Sequence, residues 1–483
     1  MKNIYIKSIS LCIALSTLVS CTDYVSDSNV DPDKIAGADS KNLFQGILLA
    51  DQFFHTSGNV RDVMIWMNQA NGENRQYVSL NDWNLSTASM FDSAWGIAYV
   101  NGLTNIKFTR VNAEKELNFK LAGAAAVIEA HLMGTVTSMW GDVPYSDFDY
   151  TGVNKTPKYD KQSDVYASLQ TLLDKAIVDL GKPGLIPGNK DLFYAGVTTK
   201  WLKLAHSLKA KYYLHTKQYA NAKAEALLGI SDASGDMKAV FGNSNGQSFN
   251  PYYDFLVDER DDYMSGNGYA GTLLDPSATA YRGNVKTDES ARYAFTYIFE
   301  GDYFSDGYSL NIYGTDFGGT NGKFGSDSSM PLVTYGEMLL IIAEVDARTS
   351  FAAGLTSYNI YRSKLDTGYS IGMNNNGYDS ESFNYDAYVA ADFAQGGIEN
   401  ATTTETDQQA LLSEIFQERY IYFMGTYETL NDFARSNNTG KIQLKAGKAG
   451  TPQRMLYSQD EINANPNTPS PIPLVTAKTE VHS

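Results

Sequence analysis

Cysteine is nearly absent from this chain of 483 residues, which contains only Cys12 and Cys21. A chain of this length with two thiols is not built on a disulfide framework. Basic residues are also in the minority: 38 lysines and arginines stand against 55 aspartates and glutamates, and the net charge is −17. Nucleic-acid binding needs lysine and arginine stripes that meet phosphates, so this balance argues against nucleic acid as a partner.

Histidine is scarce as well, with five residues, and none stands in the paired spacing of a zinc site. We therefore expect no metal and no other cofactor. Two strings match enzyme motifs, but Gly242–Gly246 (G-x-S-x-G) lacks the strand and helix of a nucleophile elbow. Gly266–Gly271 (G-x-G-x-x-G) follows the polar pair Asp261–Asp262 instead of a strand, which favours a turn. The acidic run Asp258–Asp262 lacks EF-hand spacing and reads as a solvated loop. The sequence thus favours a protein without catalysis.

Long apolar runs are missing after the N-terminus, so we expect no segment that spans a membrane. Residues 1–20 have the basic start and the short apolar stretch of a secretory signal. The stretch ends directly before Cys21, as in bacterial lipoproteins, so we predict cleavage there and acylation of Cys21; an ordinary cleaved signal is the alternative. Residues 21–41 are polar and are predicted to form a tether. Acyl chains would then be the only membrane attachment.

Helical periodicity dominates the rest of the chain. Apolar residues that recur every three or four positions predict helices over Leu117–Met139, Val165–Leu180, Thr198–Tyr212, Tyr219–Leu227, Leu332–Arg348 and Gln409–Met424. The third and fourth are typical of a tetratricopeptide-like helix pair. Residues 241–330 lack this periodicity and are rich in Tyr, Asp, Gly and Asn. We predict a mainly α fold in a single domain over 42–483, in which a tetratricopeptide-like helical-repeat scaffold carries a large, irregular, loop-rich face at about 241–330.

Eight segments in series resemble the SusD/RagB family, and the compact chain is closest to its shorter SusD-like branch. They are Trp95–Asn105, Ile128–Tyr145, Thr156–Tyr166, Trp201–Ala210, Arg260–Arg292, Pro331–Glu344, Glu414–Arg435 and Pro452–Asn465. The resemblance implies a lipid-anchored outer-membrane protein facing the cell exterior. It would capture oligosaccharides, or in one branch oligopeptides, for a SusC-type TonB-dependent barrel. A surface hydrolase and a purely structural lipoprotein are further alternatives.

Two clusters of aromatic, amide and charged residues are candidates for the ligand site, since sugars are met by flat rings and by planar polar groups. The first contains Trp66, Asn68, Gln69, Arg75, Tyr77 and Trp83, and the second contains Tyr252, Tyr253, Asp262, Tyr263 and Arg282. The alternative for each residue is packing of the irregular face onto the helices. For Trp66 and Trp83 we predict that joint replacement by alanine abolishes binding and leaves the melting temperature nearly unchanged.

Overall fold

The computed structural model describes residues 39–483 except positions 57, 243, 245–247, 300–306, 313–321, 371–381 and 403. The predicted signal, Cys21 and all but the last three residues of the predicted tether lie outside the described residues. Ser40–Ser483 form one compact unit. It begins at Ser40 with a helix, α1, that continues to Thr56.

Helices make up most of this unit, and this confirms the prediction of a mainly α, helical-repeat fold. After α1 they are α2 (Gly58–Trp66), α3 (Gln76–Leu80), α4 (Asp92–Gly96), α5 (Thr104–Lys115), α6 (Phe119–Trp140), α7 (Gln162–Leu180), α8 (Thr198–His215), α9 (Tyr219–Ala226), α10 (Pro251–Tyr253), α11 (Tyr269–Leu274), α12 (Ser290–Thr296), α13 (Tyr335–Thr349), α14 (Phe351–Leu365), α15 (Ala390–Phe393), α16 (Asp407–Tyr422), α17 (Glu428–Ser436) and α18 (Gln459–Ala464). Wider π-type turns follow α4 at Ile97–Leu103 and α10 at Asp254–Glu259.

Short strands connect distant parts of the chain. They are β1 (Asn71–Gly72), β2 (Val143–Pro144), β3 (Tyr159–Asp160), β4 (Met237–Ala239), β5 (Met264–Ser265), β6 (Thr287–Asp288), β7 (Tyr297–Phe299), β8 (Tyr308–Leu310), β9 (Met330–Val333) and β10 (Asn384–Tyr385). They form the antiparallel pairs β1–β5, β2–β3, β4–β9, β6–β10 and β7–β8. The predicted loop-rich face therefore contains short helices and strands. Each has too few residues to show an apolar period in the sequence.

Neighbouring helices pack as pairs, among them α6 with α7, α8 with α9 and α13 with α14. Small residues allow the closest crossings. A Cβ atom on Gly134 of α6 would lie 2.1 Å from the ring of Tyr212 of α8, whose hydroxyl donates to the Ala130 carbonyl at 2.6 Å. A Cβ atom on Gly354 of α14 would lie 2.4 Å from Ala347 of α13. These glycines set the spacing of the helical layers.

The helix α6 is long and apolar enough to cross a membrane, but 83% of its most apolar window is buried inside the fold. It belongs to the large core, which also takes residues from α1, α7 and α8. A second, smaller core lies between α13, α14 and α16 and is rich in tyrosine, with Tyr358, Tyr361 and Tyr385 buried. Helices therefore bury most of the apolar surface, and the connecting segments lie over them.

Candidate functional site

The pairing of β1 with β5 connects the two predicted clusters, since β1 lies inside the first and β5 lies inside the second, directly after Tyr263. Asn71 pairs with Ser265 and Gly72 pairs with Met264. The turn after β1 is tight: a Cβ atom on Gly72 would lie 1.8 Å from the Tyr77 carbonyl oxygen. We call the polar surface at this crossing the β1–β5 face, and it consists of Asn68, Asn71, Glu73, Asn74, Arg75, Asp262, Tyr263, Asn267 and Lys445.

Glu73 is the acceptor at the centre of the β1–β5 face. Its carboxylate accepts hydrogen bonds from Asn71 Nδ2 at 2.9 Å, from Asn267 Nδ2 at 3.4 Å and from the Ser265 hydroxyl. Burial alone would raise the pKa of Glu73, but these donors and Lys445 outweigh it and hold the pKa below its ordinary value. Glu73 is therefore an anion held in place by side chains from both strands.

Lys445 completes the face from a part of the chain that sequence analysis did not connect to it. Its ammonium donates to Asn71 Oδ1 at 2.7 Å, to the Ala70 carbonyl at 3.2 Å and to Asn68 Oδ1 at 3.3 Å. Burial lowers the pKa of Lys445 to about 8, even though Glu73 acts in the opposite direction. Glu73 and Lys445 are charged members of the face that the sequence did not single out. No periodicity or motif marks either of them.

Two guanidinium groups lie over the Tyr263 ring, one from Arg75 of the face and one from Arg260. Arg75 Cζ is 5.9 Å from the centroid of the Tyr263 ring, and Arg260 Cζ is 5.5 Å from it. Both arginines are exposed, whereas Tyr263 is 7% exposed. Asp262 is exposed and accepts a hydrogen bond from Asn74 Nδ2 at 2.6 Å. The exposed charged groups of the face thus lie around and over a largely buried tyrosine ring.

Arg75 has an uncommon backbone conformation, with φ 48° and ψ −131°. Residues with a side chain rarely adopt this region, and holding one there costs about 1–3 kcal/mol. This backbone conformation places the Arg75 guanidinium at the tip of the turn between Gly72 and Tyr77. Backbone strain of this kind is common at ligand sites.

Other predicted site residues lie in the core, where a ligand does not reach them in this conformation. Trp66 is fully buried against Phe91, with ring centroids 6.2 Å apart. Trp83 is 2% exposed, and its indole nitrogen donates to the Ala449 carbonyl at 3.1 Å. Gln69 is also buried and donates to the Tyr420 carbonyl at 2.9 Å. The burial of Trp66 and Trp83 contradicts the expectation that their replacement by alanine leaves the melting temperature nearly unchanged.

The tyrosines of the two clusters are buried to a similar extent. Tyr77 stacks on Phe255 at 4.9 Å between ring centroids, and its hydroxyl accepts a hydrogen bond from Arg61 Nε at 3.2 Å. Tyr252 donates to the Gly425 carbonyl at 3.2 Å, and Tyr253 is covered as well. Of these rings, Tyr77 packs against Tyr263 of the β1–β5 face, with ring centroids 5.7 Å apart. Of the predicted residues, Arg75 and Asp262 are exposed, Asn68 is partly exposed and Tyr263 lies just beneath them.

Arg282 lies apart from the face in a buried group of charges, which we call the Arg282 cluster. It consists of Arg282, Glu289, Arg292, Glu414 and Glu418. The Arg282 guanidinium contacts Glu418 at 2.6 Å, Glu414 at 2.7 Å and Glu289 at 3.1 Å. Burial opposes its charge, yet Glu414, Glu418 and Glu289 raise the pKa of Arg282 well above its ordinary value. Arg282 therefore joins the loop-rich segment to α16 through Nη1 and Nη2, whereas its buried Nε has no hydrogen-bond partner among the described residues.

Asp51, His55 and His131 are the residues best placed to hold a metal in the described part of the chain, with candidate ligand atoms all within 4.8 Å of one another. The Asp51 carboxylate lies 2.9 Å from His131 Nδ1, and the two imidazoles stack with centroids 3.9 Å apart and planes 14° from parallel. An imidazole lone pair lies in the ring plane, so stacked rings do not direct two lone pairs at one ion. Burial raises the pKa of Asp51 to about 7 and lowers that of His55 to about 3. We interpret the trio as a hydrogen-bonded core group.

Of the two strings that match enzyme motifs, the structure describes Gly266–Gly271 completely. Gly266–Gly271 follows the two-residue strand β5, which pairs antiparallel to β1, and leads into the six-residue helix α11. A dinucleotide fingerprint needs a parallel βαβ unit, so this string is a turn. The string Gly242–Gly246 includes positions outside the described residues.

Comparison with known proteins places the chain in a family. A family model for SusD-like proteins, described as starch-binding and associating with the outer membrane, matches residues 40–458. The comparison with curated proteins gives no match.

Solved structures of low sequence identity share the fold. A SusD/RagB family protein from Bacteroides thetaiotaomicron has a TM-score of 0.62 at 18% identity, with 92% of this chain and 99% of that chain covered. A chitin-binding SusD homolog from Flavobacterium johnsoniae has a TM-score of 0.62 at 15% identity, with 91% and 98% covered. A SusD homolog from Bacteroides fragilis has a TM-score of 0.64 at 16% identity, with 92% and 99% covered. With the family model matching most of its length, this chain belongs to the SusD-like family.

Proposed function

We propose that this protein binds oligosaccharides without cleaving them and that the β1–β5 face is its ligand site. The observation that carries the proposal is the strand crossing itself, which gathers amides, carboxylates and guanidinium groups around the Tyr263 ring, with the ring beneath two exposed arginines. Hydroxyl-rich rings are bound by such planar polar groups together with an aromatic face. The family model and the chitin-binding neighbour point to the same ligand class.

The arginines over Tyr263 suggest how a sugar ring enters the site. Each guanidinium lies over the ring at more than 5 Å, at an exposed position, so it is held weakly. A pyranose that replaces one guanidinium gains the flat tyrosine face, and the displaced arginine stays close enough to donate to sugar hydroxyls. Asp262 and Asn74 supply acceptors and donors beside the same ring.

Isothermal titration with maltoheptaose and chitohexaose tests this proposal. We expect one of them to bind with micromolar to millimolar affinity, and Arg75→Ala and Asp262→Asn each to weaken binding about tenfold. Asp261→Asn is the matched control, because Asp261 is exposed next to Asp262 and is outside the face. Unchanged affinity in both variants would refute the site. Heat from peptide mixtures alone would favour the oligopeptide alternative, and release of shorter sugars would indicate a hydrolase.

Delivery to a transporter is the second part of the proposal. We infer a lipid anchor on Cys21 and a SusC-type TonB-dependent barrel as the partner, with the body of the protein on the cell exterior. The predicted tether would let the body move over the mouth of the barrel. Cys21→Ala should abolish uptake in cells and leave the affinity for free oligosaccharide unchanged, as measured by titration. Loss of affinity in this variant would contradict the division between anchor and binding body.

A further inference from the structure

A groove of about 540 Å³ lies between the end of α1 and the segments that follow β4 and precede α10. This volume is in the range of ligand-sized pockets. Its lining residues come from three places in the sequence: Leu49, Gln52, Phe53 and Thr56 from α1; Val240, Phe241 and Gly242 after β4; and Ser248, Phe249, Pro251 and Asp254 around α10.

Large apolar side chains at the groove are exposed to solvent. Leu49 and Phe53 are 49% and 51% exposed, and Val240 is 59% exposed. Leu49 and Phe53 are four positions apart on α1 and so lie on the same side of the helix. Scattered apolar residues are normal on a surface, but several around one concave groove mark an interaction site.

The walls of the groove are fixed by buried hydrogen bonds. Gln52 is buried and its Nε2 donates to the Val240 carbonyl at 3.4 Å, which ties α1 to the end of β4. Asn250 is fully buried; its Oδ1 accepts from the Tyr252 amide at 2.9 Å and its Nδ2 donates to the Ser328 carbonyl at 2.8 Å. The walls that α1 and the start of α10 form are thus held in place, which lowers the ordering cost of binding on that side.

The groove has an unbalanced negative charge. The Asp254 carboxylate has no hydrogen-bond or ion-pair partner within the part of the chain that the structure describes, and Asp258 and Glu259 follow it. Burial raises the pKa of Asp254, and the charges of Glu259 and Asp258 raise it further. Arg61 is the nearby cation, but it already donates to the Tyr77 hydroxyl and the Pro251 carbonyl. Among the described residues, no lysine or arginine lines the groove. An occupant with a positive charge is favoured.

We propose that this groove docks a polypeptide segment of a partner protein, one that places leucine or phenylalanine side chains between lysines or arginines. The phenyl and aliphatic walls suit apolar anchors, which dominate the affinity of such contacts. Asp254 pairs with the flanking cation. A glycan fits the groove less well, because the Gln52 amide is already bonded and the rings are phenylalanines without hydroxyls. The proposal does not depend on ligand binding at the β1–β5 face.

Fluorescence anisotropy with two labelled octapeptides tests the groove. One alternates lysine with leucine and phenylalanine, and the other carries glutamate in place of each lysine. We expect only the lysine peptide to bind, Phe53→Ser to weaken it about tenfold and Asp254→Asn about threefold. Val285→Ser and Asp261→Asn are matched controls at exposed positions and should bind like the unmodified protein; Val285 is 83% exposed.

The outcomes separate this proposal from the others. Equal binding of the glutamate peptide, no binding of either peptide, or unchanged affinity in both groove variants would overturn it. Competition between chitohexaose and the lysine peptide would also overturn it, since the groove would then be a sugar site. Binding of oligosaccharide that Phe53→Ser leaves unchanged, together with loss of the peptide, would support two separate sites.

Discussion

The β1–β5 face and the Arg282 cluster are made of the same kinds of residue, arginines and carboxylates beside tyrosine rings, but they differ in exposure. On the face, Arg75 and Asp262 point to solvent and use few of their hydrogen-bonding groups. In the cluster, the Arg282 side chain is 4% exposed and contacts three carboxylates. The comparison shows that residue type alone does not identify a ligand site. Groups that remain unsatisfied and accessible are available to a ligand, whereas paired, buried groups hold the fold together.

The largest effect should come from a substitution in the buried Arg282 cluster. Arg282→Ala leaves Glu289, Glu414 and Glu418 with one cation fewer in the interior, which should lower the free energy of unfolding by about 3–5 kcal/mol. Urea unfolding followed by circular dichroism measures this loss. Arg260→Ala is the control, because Arg260 is exposed and should change stability by less than about 0.5 kcal/mol. A stable Arg282→Ala protein that has lost ligand binding would instead indicate that Arg282 belongs to the ligand site.

Trp66→Ala should have the next largest effect. Its ring is fully buried, so truncation leaves a cavity and should lower the free energy of unfolding by about 3 kcal/mol. Differential scanning calorimetry would show a melting temperature several degrees lower. Oligosaccharide affinity measured well below that temperature should be unchanged. An unchanged melting temperature with lost binding would restore the role that the sequence predicts for this tryptophan.

Lys445 should make the free energy of unfolding depend on pH. Its pKa is about 8 in the folded protein and higher in the unfolded chain, so the unfolded chain binds more protons between these values. Stability should therefore rise with pH from about 8 to about 10, and Lys445→Met should reduce that slope. Urea unfolding at pH 7, 8, 9 and 10 measures it, with Lys441→Met as the exposed control. If the free energy of unfolding depends on pH in the same way in both variants, the low pKa of Lys445 is refuted.

The smallest effect, and one of opposite sign, should come from Arg75→Gly. Glycine adopts positive φ freely, so the substitution removes the backbone strain, and part of that gain is offset by the greater freedom of glycine in the unfolded chain. We expect the free energy of unfolding to rise by about 1 kcal/mol while oligosaccharide affinity falls. Arg75→Ala separates the two effects, because it removes the guanidinium and keeps the strain. Destabilisation by Arg75→Gly would contradict the interpretation that the backbone at Arg75 is strained.

The helices could be predicted closely from the sequence, whereas the site could be predicted only in part. The apolar period of α6 and α7 places each within three residues of its observed ends, because one face of each helix packs on the core. The helix that contains Leu339 begins three residues later than predicted, since Met330–Val333 pairs with β4 instead. A strand pair between distant segments leaves no local period to detect.

The aromatic residues show why the site was harder to predict. Trp66 and Tyr263 are each followed by a methionine and a polar residue in the sequence, yet Trp66 is fully buried in the core and Tyr263 lies beneath two exposed arginines. Tryptophan and tyrosine suit both roles, so spacing does not distinguish them. Lys445 joins the face only because the chain returns to Asn71 at a separation of 374 positions. Such a contact is a property of the fold, and no motif records it.

The separation of these segments has a consequence for how the protein matures. The hydrogen bond between Asn74 and Asp262 closes a loop of 188 positions, and the one from Lys445 to Asn71 closes a loop nearly twice as long. Contacts of this range form late, because the entropy of loop closure must be overcome before they stabilise anything. The helical layers can assemble from local contacts while the β1–β5 face is still incomplete. Affinity for oligosaccharide should therefore be the last property to appear on refolding, and its recovery would report that the whole chain has folded.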